Sequence, residues 1–341
     1  MIIAEIGANH NGDINLAKKM IDAAKDCGCD VVKFQSWTYD SLFNKDFKDL
    51  EDDARRYSLT EQDFRELFRY CRGIEFLCTP FSRDEVDFLV DMGMKRIKIA
   101  SMDLNNLEFL EYVAKKDRPI ILSTGLGSKT EIIEAVWTIE EHNKDLTILH
   151  CVSNYPPDDG NINLNNIVGL QERYPRYTIG FSDHSIGTDI AIAAAALGAD
   201  VIEKHFTLDK NMEGWDHGIS ATPEEMARIV DGVKRVQMAR GDYERMLTKT
   251  DHKMKPKFRR SAVALRDIKK GEVVERKDLD FKRPGTGIPP NMVSHLVGHK
   301  ARRNIKQDNV IKWGDIYAYW NSPGKNVERE AAGQGAVTTP R

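Results

Sequence analysis

The chain is poor in cysteine, in net charge and in long apolar runs. Five cysteines in 341 residues, at positions 27, 29, 71, 78 and 151, cannot make a disulfide framework, which points to a reducing, cytoplasmic setting. A formal net charge of −3 gives no positive field for a nucleic acid backbone, so a polyanion binder is disfavoured. No apolar run approaches the roughly 20 residues that cross a bilayer. The opening MIIAEIGANHNG turns polar too soon for a secretory signal. No GxGxxG follows the first apolar run, which weakens a dinucleotide-binding sheet. What is present is a composition of 41% hydrophobic and 30% charged residues, enough to bury a large core. The length suits two domains, or one large barrel with an appendage.

Up to about residue 240, short β-branched runs alternate with amphipathic stretches. The predicted strands are 2–7, 31–35, 75–79, 96–100, 119–123, 146–151, 177–182 and 200–205. Helices are predicted between them, from Leu16–Asp26 to Pro223–Ala239, with a weaker one over Leu164–Tyr174. Strand runs that are apolar on both faces argue for a parallel sheet. Eight strand–helix units in roughly 240 residues fit a (β/α)8 TIM barrel better than an open sheet. The barrel is assigned to 1–245, a polar linker to 246–258 and a small β-rich domain to 259–320. The small domain repeats a phrase, basic strand, turn and apolar strand, at 260–274 and 301–311. The Gly-, Ala- and Pro-bearing tail 321–341 reads as disordered or as a non-native extension.

In a parallel barrel the chemistry sits where the strands end. Each predicted strand delivers polar groups there: Glu5 with Asn9 and His10, Lys33 with Gln35, Thr79, Lys98 with Ser101 and Asp103, Ser123 with Thr124, His150 with Ser153 and Tyr155, Ser182 with Asp183 and His184, and Glu203 with His205. Lys33 and Lys98 stand in apolar strands, where an unpaired ammonium is costly. With hydroxyls around them they would form a receptor for a small dianion such as a phosphate ester. Snorkelling to the rim or Schiff-base chemistry are the other readings of these lysines. His184 and His205 close neighbouring strands, close enough to share one divalent metal, or to be two rim histidines without one. Glu203 alternates onto the face of His205 and would orient a water or act as base. Cys27 and Cys29 read as helix-packing thiols. Arg283, in KRPGTGIPP, would present a guanidinium on a rigid turn.

Taken in order, EIGANHNG, VKFQ, TPFS, KIAS, LSTG, HC-x-S-x-YP, GFSDHS and IEKHFTLD resemble the sialic acid synthase (NeuB) family, and FRRSAVA through KRPGTGIPP resembles its antifreeze-like SAF domain. The resemblance covers about residues 1–320. It implies a cytoplasmic enzyme that condenses phosphoenolpyruvate with N-acetylmannosamine, its 6-phosphate or a 2,4-diacetamido sugar. The product is a nine-carbon 3-deoxy-2-keto acid, and phosphate is released. Carried over by position, Lys33, Thr79, Lys98, Ser101, Ser123, Ser153 and Ser182 hold phosphoenolpyruvate. Glu5, Gln35, Asp103, Tyr155, Asp216 and Arg283 serve the sugar, with Glu203, Lys98 and Glu5 in catalysis. His184 and His205 bind Mn²⁺, with Mg²⁺ or Co²⁺ as substitutes. The resemblance further implies a domain-swapped homodimer in which Arg283 reaches the other chain's barrel, and no nucleic acid or membrane partner. Two departures stand out. The chain opens on strand one, where many bacterial relatives carry a hairpin under the barrel, and GIS-ATP follows Asp216–His217 where ASLEP is commoner. The rivals are an octulosonate or heptulosonate phosphate synthase, and a non-enzymatic sugar- or ice-binding protein.

Overall fold

The computed structural model describes residues 1–44 and 46–317. The tail assigned to 321–341 lies outside the described residues. Two compact units divide the chain, Met1–Gly241 and Asp242–Arg341.

The first unit carries eight strands: β1 (Ile2–Gly7), β2 (Val31–Ser36), β3 (Glu75–Pro80), β4 (Ile97–Ile99), β5 (Ile120–Ser123), β6 (Leu146–Cys151), β7 (Thr178–Asp183) and β8 (Val201–His205). All are parallel, and β1 pairs with both β2 and β8. The ladder runs β3-β2-β1-β8-β7-β6-β5-β4. Its two end strands, β3 and β4, pack side by side, so the sheet is a barrel with one seam lacking ladder bonds. At the N-terminal side of that seam Arg96 grips Glu75 through two hydrogen bonds of 2.6 and 3.2 Å, and its guanidinium also meets the Met1 thioether.

Each strand is followed by a helix: α1 (Ile14–Asp26), α2 (Glu61–Tyr70), α3 (Arg83–Met92), α4 (Leu107–Ala114), α5 (Lys129–Glu140), α6 (Asn165–Arg173), α7 (Asp189–Ala196) and α8 (Pro223–Arg240). Capping boxes at Thr60–Asp63, Ser128–Glu131 and Thr222–Glu225 satisfy the first amides of α2, α5 and α8. Gly93 ends α3 at φ 101°, a conformation that costs glycine nothing. The helices lay their apolar faces on strands rich in Ile, Val, Leu and Phe, and one buried cluster joins the whole barrel. No helix among the described residues is long and apolar enough to cross a membrane.

A buried ion pair ties β7 to β8. Lys204 Nζ donates to Asp183 Oδ2 at 2.8 Å and to the Ser185 carbonyl, and both side chains are 1% exposed. Removing one partner strands the other's charge in the interior. Lys204→Met is therefore expected to lose about 3–5 kcal/mol of stability. Urea unfolding followed by circular dichroism measures this; an unchanged midpoint would contradict the role given to the pair.

The second unit begins with a helix inside the stretch read as a linker, α9 (Lys249–Phe258). It buries no residue, and a Thr248–Asp251 capping box supplies the start signal. Two antiparallel pairs follow: β9 (Ser261–Ala264) with β10 (Leu279–Lys282), and β11 (Lys300–Ala301) with β12 (Ile316–Tyr317). The internal repeat extends to its ion pairs. Arg266 holds buried Asp278 at 2.8 Å and Arg303 holds buried Asp315 at 2.5 Å, at the same spacing along the chain. Ile268 and Ile305 bridge the two halves, within a core of their own.

Candidate active site

Strand register decides which side chains meet at the barrel mouth. Glu5 lies beside Lys33 on one side and His205 on the other, Ser182 beside Glu203, and Gln35 beside Thr79. Alternation sends these groups inward together. They line a cavity of about 380 Å³ with Lys98, Ser101, Ser123, Ser153, Tyr155, His184 and Asp216. Asp103 is not among its lining residues: it sits in the turn after β4 and accepts from Asn106 at 3.3 Å. Arg283 belongs to the second unit, where its guanidinium lies over Phe258, 5.1 Å from the ring centre.

The deep end is a charge network. Lys33 Nζ is 2.8 Å from Glu5 Oε2 and 3.7 Å from Glu203 Oε1, and it donates to Thr79 at 3.2 Å. Lys98 Nζ donates to Ser123 at 2.7 Å and is 3.8 Å from the same Glu203 oxygen. Ser182 donates to Glu203 Oε1 at 3.0 Å and Gln35 to Glu5 Oε1 at 2.7 Å. Glu203 Oε2 is buried with no hydrogen-bond partner.

The two glutamates are driven apart. Burial would raise Glu203, but Lys33, Lys98 and the Ser182 hydroxyl outweigh it and hold it below the usual carboxylate range. Burial raises Glu5, against Lys33, and the negative Glu203 adds to the rise. Such a split would let one carboxylate serve as base while its neighbour carries a proton. The lysines differ too. Burial works against the charge of Lys33, yet Glu203 and Glu5 more than compensate and raise it. Lys98 is lowered, by burial first and by Lys33 next, although Glu203 favours its charge. An incoming anion would favour the buried Lys98 ammonium.

His184 and His205 stand with ring centres 5.3 Å apart, and Tyr155 covers them at 4.1 and 5.7 Å. His184 Nδ1 is 2.7 Å from the Val152 carbonyl, an acceptor, so Nδ1 carries a proton. Burial opposes a second one, but Cys151, this carbonyl and Glu203 raise the ring above the usual imidazole range, and Nε2 offers a lone pair in the neutral form. Burial holds His205 well below the usual imidazole range, so it is neutral, and its Nδ1 is buried without a hydrogen-bond partner, 3.7 Å from Asp216 Oδ2. Two imidazoles beside a carboxylate suit a divalent ion, which would take His184 in its neutral form. Among the described residues no group of three or more His, Cys, Asp or Glu has metal-site geometry, so substrate or water would complete the shell.

Asp216 is held by the segment after β8. Its carbonyl accepts from Ser220, which also takes a hydrogen bond from Asn9 at 2.8 Å. Buried His217 pairs with Thr207 at 2.6 Å, and Trp215 stacks on Trp37 at 5.7 Å with Tyr57 edge-on at 5.3 Å. The GIS-ATP wording at this point keeps Asp216 in the cavity.

Several strand-end residues named from the sequence face elsewhere. His150 turns its Nε2 to the Ile162 carbonyl, Thr124 bonds the Leu149 carbonyl, and Asp183 pairs with Lys204. The sequence reading passed over Phe81, Ala100, Met102, Leu126 and Cys151, all of which line the cavity. Cys151 was legible in principle: it follows His150, and alternation sends one of the two inward. Its thiol lies 3.5 Å from Ser101 Oγ and 3.9 Å from His184 Nδ1. Burial alone would raise it, but His184, Ser101 and Lys98 bring it down to about 7.

The sequence model of the NeuB family matches residues 20–245, and that of the SAF domain matches residues 259–316. The N,N'-diacetyllegionaminic acid synthase of Campylobacter jejuni is 38% identical over 330 residues, spanning 92% of this chain and 98% of that protein. The N-acetylneuraminate-9-phosphate synthase of Homo sapiens is 35% identical over 327 residues, spanning 91% and 90%. The N-acetylneuraminic acid synthetase structure from Leptospira borgpetersenii, in complex with citrate, superposes with a TM-score of 0.71 at 35% identity, covering 74% of this chain and 88% of that one.

Proposed function

The chain belongs to the NeuB family, and we propose on that premise that it is a nonulosonate synthase. It joins phosphoenolpyruvate, an N-acylated amino sugar and water into a nine-carbon 3-deoxy-2-keto acid and phosphate. The observation that carries this reading is the convergence of Lys33, Lys98, Glu203, His184 and His205 on one cavity.

Lys98 with Ser123, and Lys33 with Thr79, receive the phosphate and carboxylate of phosphoenolpyruvate, with Ser101, Ser153 and Ser182 as further hydroxyl donors. His184 and His205 hold a divalent ion, Mn²⁺ in first place, which supplies Lewis acidity to the sugar aldehyde when bound. Carbon 3 of the enol forms the new bond to the aldehyde carbon, and Glu5, the carboxyl of the pair that burial shifts upward, is the group placed to pass a proton to the oxygen that becomes a hydroxyl. Positive character develops at carbon 2. Glu203 Oε2, ionised and unpartnered, takes a proton from the water that adds there. The resulting hemiketal phosphate collapses with cleavage of the carbon–oxygen bond, and Lys33 and Lys98 offset the charge on the departing phosphate. Gln35, Tyr155 and Asp216 face the sugar. Arg283 completes the sugar side in this reading.

A 2,4-diacetamido hexose is the second reading of the acceptor. Phe81, Met102 and Leu126 give an otherwise polar cavity an apolar portion that suits a second acetyl group. Incubation with Mn²⁺, phosphoenolpyruvate and a panel of hexosamines, with arabinose 5-phosphate as control, tests the function. A nine-carbon keto acid of the expected mass supports it. An eight-carbon product, or no phosphate release with any acetamido sugar, would overturn it.

The active assembly is proposed to be a domain-swapped homodimer in the cytoplasm, with Arg283 acting on the barrel of the other copy. Arg283→Ala and Lys98→Ala are each expected to be inactive alone. Unfolded and refolded together, they should regain phosphate release, because a mixed dimer contains one intact site. If Arg283 serves its own barrel, no activity returns.

A further inference from the structure

A second cavity, of about 540 Å³, lies between α5, α6 and the segments that follow β5 and β6. It shares Leu126, Cys151 and Ser153 with the candidate active site. Its ionic character is one-sided. Lys129 and Arg173 line it, no carboxylate does, and neither cation joins an ion pair among the described residues. Ile132 and Leu170 add apolar wall, and the side-chain amides of Asn154 and Asn166 add hydrogen-bonding groups. Such a mixture of apolar wall, few polar groups and one sign of charge is what a small amphipathic ligand requires.

Gly169 lines this space. It sits inside α6, where glycine forgoes roughly 0.5–1 kcal/mol of helix stability relative to alanine. A Cβ built there meets nothing within 4 Å, so close packing does not explain the residue. The wall shared with the active site is also where His184 is held. Val152 lines the second cavity while its carbonyl accepts the His184 Nδ1 hydrogen at 2.7 Å, and Cys151 Sγ lies 3.9 Å from the same nitrogen. A ligand pressing on residues 151–153 therefore acts on the orientation of a histidine in the neighbouring site.

We propose that this cavity is an effector site for a small amphipathic organic anion, its head group on Lys129 and Arg173 and its body against Ile132 and Leu170. Occupancy changes turnover through the 151–153 segment. The effect on turnover rests on the catalytic reading above; the binding itself does not.

The probe is 8-anilinonaphthalene-1-sulfonate, one sulfonate on an aromatic body, titrated into the full-length protein by fluorescence. One saturable site per chain is expected, not displaced by phosphoenolpyruvate. Arg173→Glu, which reverses the head-group charge, and Gly169→Trp, which fills the space, should each weaken it by about tenfold or more. Both positions lie outside the catalytic cavity, so phosphate release without probe should stay near wild type. Bound probe should lower kcat in the wild type and not in Gly169→Trp. Displacement of the probe by the reaction's keto acid, or instead by a nucleoside monophosphate, supports the site and distinguishes a carboxylate head group from a phosphate. Displacement by phosphoenolpyruvate, or unchanged affinity in both variants, overturns the site. Binding without any effect on kcat overturns the coupling. The titration needs no turnover, so absent phosphate release would count against the proposed reaction and not against this cavity.

Discussion

Lys98→Ala is expected to reduce phosphate release by about a thousandfold, or ~4 kcal/mol of transition-state stabilisation, while leaving the barrel folded. The functional half rests on position. Lys98 donates to Ser123 and stands 3.8 Å from Glu203, in a cavity whose second strand lysine is already engaged by Glu5 at 2.8 Å. Burial weighs against its ammonium, which an arriving anion would favour. The structural half rests on cost. Burial disfavours the charge of Lys98, so the folded protein spends stability to keep an ammonium there. Melting of Lys98→Ala, and of the volume-preserving Lys98→Met, should therefore occur at or above the wild-type temperature. A variant that melts early, or one that still releases phosphate at a wild-type rate, would contradict this account of the residue.

His205→Ala is expected to abolish both Mn²⁺ binding and turnover. Burial keeps His205 neutral, its Nδ1 lacks a hydrogen-bond partner, and its ring stands 5.3 Å from that of His184. With only two imidazoles proposed as protein ligands, loss of one leaves too weak a site to retain the ion. Electron paramagnetic resonance titration of Mn²⁺ reads the binding directly, without substrate. Chelation of the wild type should reproduce the loss of activity, and added Mn²⁺ should restore the wild type but not the variant. Unchanged Mn²⁺ affinity in His205→Ala would remove this histidine from the metal site.

The barrel was legible because its strands are short, β-branched and separated by well-capped helices, so period and punctuation agree. All eight predicted strands are present, with ends shifted by a residue or so. Strand ends place Glu5, Lys33, Lys98 and Ser182 at one mouth, and alternation puts Glu203 on the face of His205; all six line the cavity. Less legible were groups whose direction depends on a turn. Asp103 and Ser101 leave the same short turn, yet Ser101 lines the cavity and Asp103 does not. Leu126 adopts φ 64° in the loop after β5, which no periodic pattern announces. The Trp37–Trp215 stack joins loops far apart in sequence, and such long-range contacts leave no local signal. The helix Lys249–Phe258 escaped notice because it buries nothing and so has no apolar stripe to detect.

The central claim is that an anion receptor built on Lys33 and Lys98 and an ion site built on His184 and His205 serve one reaction in one cavity. Crystals grown with Mn²⁺ and phosphoenolpyruvate, measured at the manganese absorption edge, test it most directly. The account predicts one anomalous peak bonded to both imidazoles, with the phosphate and carboxylate of phosphoenolpyruvate against the two lysines and the Thr79 and Ser123 hydroxyls. Manganese bound away from the histidines, or phosphoenolpyruvate bound away from the lysines, would contradict it.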